Sequence, residues 1–299
     1  MKKSFLFIWL ILILVACGGG GSEPTAESQP TEAEQGQATG NDNIVDGPSA
    51  LQIAVVTNDF AVGTPRIPFV LFDGPEQVAD AQAVQITAFD LSLETQQPGW
   101  TGAAINYSDY EIPYWVAYPE VDKAGNWGLL AEVTLADGSV VQAPFTIPVV
   151  EQSQAPAIGS AAPASENRTL ATEPDISLLS SDNDPEPGLY QMTVAAALES
   201  GRPTVVTLAT PAFCQTDICA PVVDSVEDVY DEYKDQANFI HLEIYKDFQE
   251  LVQADEVTEW GLPSEPWTFV IDAAGNIVAR FGGPISPREL TEALVGLIG

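Results

Sequence analysis

Basic residues are scarce in this chain. Ten Lys and Arg stand against 43 Asp and Glu, a formal net charge of −33 over 299 residues. A surface that acidic repels phosphate backbones and anionic headgroups, which argues against nucleic acid or an anionic lipid surface as a partner. Histidine is scarcer still, with His241 alone, and cysteine is limited to Cys17, Cys214 and Cys219. Long apolar runs are missing too: the stretch from Phe5 to Val15 falls short of the roughly 20 residues that an ordinary spanning helix needs. What is present is an apolar content of 45%, enough for real cores. A chain of this length reads as two domains rather than one.

Lys2 and Lys3 precede the Phe5–Val15 run, and Ala16 supplies a small residue before Cys17. Charge, apolar stretch and small residue together read as a secretory signal. Leu14-Val15-Ala16-Cys17 resembles the lipobox of bacterial lipoproteins. That resemblance implies a signal peptide over residues 1–17 and lipidation of Cys17; a plain signal anchor is the alternative. It also implies attachment to the cell membrane on the extracytoplasmic side, where disulfides persist. Residues 18–48 are Gly, Ser, Glu, Gln, Thr and Pro with almost nothing to bury. Such a composition cannot offset the entropy of ordering and reads as a disordered acidic linker.

Between residues 49 and 150 the pattern changes to short β-type runs. Leu51–Val56, Ile67–Phe72, Val84–Phe89, Tyr114–Tyr118 and Trp127–Leu135 follow one another, and Ala136-Asp137-Gly138-Ser139 signals a hairpin into Val140–Ile147. No helical stretch interrupts them, which predicts an all-β sandwich. The loop Asp122-Lys123-Ala124-Gly125-Asn126-Trp127 resembles a turn of bacterial immunoglobulin-like domains. The stretch has no cysteine or histidine. Its aromatics (Trp100, Tyr107, Tyr110, Tyr114, Trp115, Tyr118 and Trp127) read either as a ligand face or as residues alternating between core and rim.

Residues 151–175 are rich in Ala, Pro, Ser and Gln and read as a second linker. Over residues 176–299 strands alternate with helices, which predicts an α/β domain. Thr193 is placed to cap a helix over Val194–Ser200 that stops at Gly201. Thr204–Leu208 is a buried-type strand. Val222, Val226, Val229, Tyr230 and Tyr233 recur at helical spacing with acids on the opposite face. Phe239–Tyr245 reads as a strand and Phe248–Trp260 as a helix. Trp267–Ile271 and Ile277–Phe281 flank the hairpin residues Asp272–Asn276. Ser286, Pro287 and Glu289 then form an N-cap, a first-position proline and a capping-box acid, with Leu290, Leu294, Leu297 and Ile298 on the buried face of that helix.

Cys214 and Cys219 lie where the strand Thr204–Leu208 stops and the helical pattern from Val222 starts, a position from which a sulfur is readily exposed. This order resembles the thioredoxin fold, from about Asp184 to Gly299. Ala220-Pro221-Val222-Val223-Asp224 is similar to the part of the thioredoxin active-site helix that follows its cysteine pair. Leu262-Pro263-Ser264-Glu265-Pro266-Trp267-Thr268-Phe269-Val270-Ile271-Asp272 is similar to the cis-proline loop and next strand of TlpA-like proteins, which puts Pro266 at the cis position. The resemblance implies that Glu265, Pro266 and Trp267 meet a substrate chain and that the cysteines carry thiol–disulfide chemistry without a cofactor. The spacing departs from that family, since thioredoxins carry Cys-x-x-Cys and here four residues intervene. One straight helix would separate the two by about 7.5 Å of rise, beyond the disulfide reach of about 7 Å between Cα atoms. A bridge therefore requires Gln215–Ile218 to be a loop, with Pro221 in the first turn of the helix after it. On that condition Cys214 and Cys219 are expected to be close and to pair.

Two other resemblances bear on the loop. Thr210-Pro211-Ala212-Phe213-Cys214 resembles the peroxidatic loop of peroxiredoxins, although Pro211 replaces their usual threonine. Phe213–Cys219 resembles the copper-chaperone Sco family, which uses three spacer residues and a late histidine; His241 falls on a central strand instead and reads as a core residue. No metal ligand set is assigned. If the pair is redox-active, Cys214 is the exposed attacking thiolate and Cys219 resolves the mixed disulfide. Asp217 and Glu265 would raise a thiol pKa rather than lower it, so a sluggish nucleophile is expected. Three functions follow: a membrane-anchored thiol–disulfide oxidoreductase acting on thiol- or disulfide-bearing envelope proteins, a non-catalytic binding or scaffold lipoprotein with a structural Cys214–Cys219 bridge, or Sco-like copper handling.

Overall fold

The structure is a computed structural model that describes residues 51–298. Cys17, the signal segment and the whole acidic linker lie outside the described residues. Among those described, no helix is long and apolar enough to cross a membrane.

Residues 51–149 form nine strands: β1 (Leu51–Val55), β2 (Ile67–Asp73), β3 (Glu76–Gln77), β4 (Ala83–Asp90), β5 (Pro98–Ala103), β6 (Ile105–Tyr107), β7 (Tyr114–Ala117), β8 (Gly125–Thr134) and β9 (Val140–Val149). One antiparallel sheet runs β1-β2-β7-β6 with β3 paired to β2, and the other runs β5-β4-β8-β9. Period-two alternation turns Val84, Ile86 and Ala88 of β4 and Leu129, Ala131 and Val133 of β8 inward. There they meet Ile67, Phe69 and Leu71 of β2 and Trp115 of β7 in one core. The two sheets thus make a β-sandwich. Strands β5 and β6 have no counterpart among the runs expected from the sequence. Pro98-Gly99-Trp100-Thr101-Gly102-Ala103 looks like a turn, yet it is held extended by antiparallel pairing with β4.

The aromatics divide between two faces. Trp115 and Trp127 fill the sandwich core. Tyr107, Tyr110 and Tyr114 pack with Val70 and Val116 in a second cluster on the outer face of the first sheet. Tyr107 stacks on Tyr114 at 5.1 Å between ring centroids, and Tyr110 meets Tyr114 edge-on at 5.4 Å.

The α/β part contains α1 (Val194–Glu199), β10 (Thr204–Ala209), α2 (Cys219–Tyr233), β11 (Asn238–Glu243), β12 (Tyr245–Asp247), β13 (Val252–Gln253), α3 (Asp255–Glu259), β14 (Trp267–Ile271), β15 (Ile277–Gly282) and α4 (Pro287–Leu294). Its main sheet has the order β11-β10-β14-β15, with β10 parallel to β11 and antiparallel to β14. Every residue of β10, β11 and β14 is buried, as strands covered on both faces must be. Val205 and Phe239 face α2 and α4 on one side. Val206, Leu208 and Ile240 face α1 and α3 on the other. A four-stranded sheet of this order and sense, with a helix leaving the end of its parallel central strand, is a thioredoxin-like arrangement.

Three local expectations are corrected. The stretch 151–175 is not a free linker: Ala155, Ala162, Ser165, Asn167 and Thr169 are buried. Its backbone runs beside β15, where Gly159 N–H donates to Ile277 C=O, Ile277 N–H to Ser160 C=O, and Ala162 N–H to Gly275 C=O. Small Ala and Ser side chains allow that approach, and the edge of the sheet supplies the backbone partners. The helix expected over Phe248–Trp260 shrinks to α3. The Asp247 carboxylate accepts from Gln249 N–H and Glu250 N–H and turns the chain, and β13 then pairs back on β12. Finally, Ser286 caps α4 as expected, accepting from Glu289 N–H, but Glu289 does not return the bond. The Ser286 N–H donates to Tyr114 Oη instead.

Glu289 is held by the sandwich. Its carboxylate accepts from Arg66 Nε at 2.8 Å and Nη2 at 2.7 Å, from Tyr114 Oη at 2.6 Å and from Tyr118 Oη at 3.3 Å. Arg66 also donates to the Gly282 and Pro284 carbonyls. Burial works against the Arg66 charge, but Glu289 outweighs it and its pKa rises. A second contact joins Asp59 to Ser153, whose hydroxyl also accepts from Arg280 at 2.6 Å. The sandwich and the thioredoxin-like part therefore share a desolvated polar network.

Candidate functional site

The cysteine loop leaves β10 at Ala209 and enters α2 at Cys219. Ala209 closes with Cys219, Val223 and Cys214 in a small apolar cluster under the loop. Cys214 and Cys219 form a disulfide with 5.9 Å between Cα atoms, within the usual reach. This closure needs residues 215–218 outside the helix, and α2 indeed starts only at Cys219. Asp217 takes the left-handed conformation, φ 57°, that lets the loop turn back; Asp tolerates it better than most residues. Cys219 is fully buried whereas Cys214 is half-buried, so Cys214 is the sulfur a partner can reach. Thr216 Oγ1 lies 3.4 Å from Cys214 Sγ.

The loop before β14 faces this pair. Its Glu265–Pro266 peptide bond is cis. Glu265 is the half-buried residue that turns toward the sulfurs: a carboxylate oxygen, Cys214 Sγ and Cys219 Sγ all lie within 4.8 Å of one another. Desolvation, followed by the charge of Glu243, pushes the Glu265 carboxyl up to about 7. Trp267 points elsewhere. It is buried in the core beside Phe269, with rings 5.7 Å apart, under the Arg280 guanidinium. Of the three loop residues implied by the resemblance, Glu265 lines the groove at the bridge, Pro266 is buried behind it and Trp267 belongs to the core.

A groove of about 390 Å³ opens beside the bridge, between Gln215 and Thr216 on one side and Leu262, Pro263, Ser264 and Glu265 on the other. Tyr245 and Ile244 form part of its floor. Phe213 packs on Phe248 and Tyr245 at 5.7 and 6.0 Å and fixes the cysteine loop against β12. None of the lining residues is Lys or Arg. Glu243 stands behind the groove, buried, with its carboxylate accepting from Ser181 N–H and Ile244 N–H. It was not singled out in the sequence; a carboxylate buried at the end of β11 needs hydrogen-bond partners, and these two N–H groups supply them.

His241 is a core residue. Its Nδ1 lies 2.6 Å from Tyr190 Oη and its Nε2 3.1 Å from the Ala209 carbonyl. The carbonyl can only accept, so Nε2 carries the hydrogen and Nδ1 accepts from the tyrosine. Burial lowers the His241 pKa and favours this neutral form. Both ring nitrogens are thereby used in bracing the end of β10, one residue before Thr210.

No family model matches the chain, and no curated protein matches it. Among solved structures, a thiol:disulfide interchange protein of the thioredoxin family from Chlorobium tepidum is similar over 48% of this chain and 100% of its own, at 17% identity and a TM-score of 0.34. CopC from Methylosinus trichosporium is similar over 31% of this chain and 83% of its own, at 14% identity and a TM-score of 0.24. The soluble domain of PmoD from Methylocystis sp. is similar over 35% of this chain and 94% of its own, at 15% identity and a TM-score of 0.24.

Proposed function

We propose that this protein is an extracytoplasmic thiol–disulfide oxidoreductase, tethered to the membrane by a lipid on Cys17, whose working group is the Cys214–Cys219 pair. One observation carries the reading: a bridge with one accessible and one buried sulfur stands at the end of a central strand, facing a cis-proline loop across an open groove. In the oxidised form a partner thiolate attacks Cys214 Sγ, the S–S bond breaks, and Cys219 leaves as a thiolate that takes up a proton. A second partner thiolate then attacks the partner's own sulfur in the mixed disulfide. Cys214 is released, the partner leaves oxidised and the pair is left reduced. The reverse sequence reduces a partner disulfide. The partners are thiol- or disulfide-bearing envelope proteins, whose extended chain would lie along the groove beside Glu265 and Pro266.

Around this site the organisation is proposed as a signal peptide over residues 1–17, an acidic tether to residue 48, an immunoglobulin-like sandwich to residue 150 and the thioredoxin-like domain from residue 176. The sandwich serves as a rigid stand between tether and redox site. A Cys219→Ser variant tests the reading, because Cys214 can still attack but its mixed disulfide cannot be resolved. Mixing it with membrane extracts is expected to give adducts that a reductant dissolves. If Cys214 titrates as a free thiol and yet traps nothing, the bridge is a structural staple in a binding or scaffold protein.

A further inference from the structure

We propose that the reduced Cys214–Cys219 pair and the Glu265 carboxylate together bind a divalent, borderline-soft cation of the zinc class. The donor atoms are already gathered, all within 4.8 Å of one another. A tetrahedral zinc with bonds of about 2.3 Å to sulfur and about 2.1 Å to oxygen places its donors roughly 3.5–3.8 Å apart. Opening the bridge lets the two sulfurs move from bonding distance toward that spacing. The ligands come from the loop after β10 (Cys214), the start of α2 (Cys219) and the loop before β14 (Glu265), so a cation would tie together the segments on the two sides of the groove.

Charge points the same way. Once reduced, the site would hold two thiols beside Glu265, with the Glu243 carboxylate behind and no Lys or Arg among the lining residues. Anionic sulfurs there meet carboxylates, and set against these are only neutral groups, the first turn of α2 and the Thr216 hydroxyl. A divalent cation answers that imbalance, and a carboxylate next to a dithiol is explained by it. The third ligand also selects the metal. Copper(I) is satisfied by soft thiolates, whereas a hard carboxylate oxygen adds affinity for zinc and its relatives. His241 cannot supply a ligand without breaking its bonds to Tyr190 and the Ala209 carbonyl. The groove that Gln215, Thr216 and Glu265 line would give water or a partner's donor access as a fourth ligand.

The binding step balances simply. A dithiol donor gives two electrons and two protons to the bridge and is itself oxidised to a disulfide; the cation then displaces the two thiol protons. The proposal shares with the redox reading only the requirement that the bridge can open. The full chain, reduced by a phosphine and shown by thiol titration to present two more thiols than the unreduced protein, is titrated with Cd²⁺ while thiolate-to-metal charge-transfer absorption is followed. One equivalent is expected to bind, to be displaced by Zn²⁺, and to give no band with the oxidised protein. Glu265→Gln, with the same thiol count, is expected to keep the band and lose roughly tenfold or more in affinity. Unchanged affinity in Glu265→Gln, or equal binding by the Cys214→Ser/Cys219→Ser double variant, would overturn the site while leaving the redox reading untouched. A bridge that phosphine cannot open would remove both.

Discussion

Glu289 shows how one side chain can be read for its local role and still be used elsewhere. Three residues after Ser286 it completes a capping-box pattern, and the serine half of that pattern forms. The carboxylate instead collects Arg66, Tyr114 and Tyr118, residues more than 170 positions earlier in the chain. Tyr114 takes over the cap by accepting the Ser286 N–H. Tyr114→Phe leaves that buried donor without a partner and removes one donor from Glu289. It is expected to cost about 1–3 kcal/mol in denaturant unfolding. Glu227 makes a pH-dependent case. Desolvation first, then Asp182, Asp224 and Glu186, push its carboxyl up to about 7, against which its bond from Glu186 N–H works. A raised carboxyl favours the fold while protonated, and that advantage disappears as pH rises from the unfolded value near 4.5 through about 7. Glu227→Gln keeps the acceptor and removes the charge. The variant is expected to match the parent in stability at pH 4 and exceed it at pH 8; equal stability at both would contradict the burial argument.

At the scale of elements, what was legible in the sequence was local. Thr193, Gly201, Pro221 and Ser286 punctuate helices by their own chemistry, and Val84–Phe89 or Trp267–Ile271 declare strands by pattern and composition. What was illegible depends on a distant partner. Strand β5, full of Gly and Pro, exists because β4 holds it. The stretch 151–175 has a tether's composition but is recruited by the edge of β15. The candidate site divides in the same way. The cysteine positions, the need for a loop between them and the cis-proline loop could be read ahead. That Glu265 turns to the sulfurs, that Trp267 turns to the core and that Glu243 sits behind the groove all depend on how β11 and β14 flank β10. The link between Arg66 and α4 is likewise long-range. Arg66 and Glu289 are 8% and 4% exposed in their side chains. Arg66→Met would leave Glu289 buried and uncompensated, a loss expected to reach about 3–5 kcal/mol. Calorimetry of the variant measures it, and a loss within 1 kcal/mol, roughly what an exposed pair is worth, would mean the carboxylate is solvated.

At the scale of the whole molecule, the sandwich and the thioredoxin-like part of the described residues are joined to one another by buried contacts. The buried network around Glu289, the Asp59–Ser153–Arg280 contact and the docked stretch 151–175 fasten the sandwich to the thioredoxin-like part. Trp115 and Trp127 report on the first and Trp260 and Trp267 on the second. Both parts are expected to unfold in a single transition, with tryptophan fluorescence and far-ultraviolet dichroism superimposable. Two separated transitions would mean that the contacts do not couple them. Such a block would hold the cysteine loop at a fixed orientation. The central claim, that the Cys214–Cys219 bridge is a working redox group, is tested most directly by its reduction potential, measured at equilibrium against a thiol–disulfide buffer. A potential above about −300 mV is the predicted result; a value well below that would make the bridge a structural staple and contradict the account.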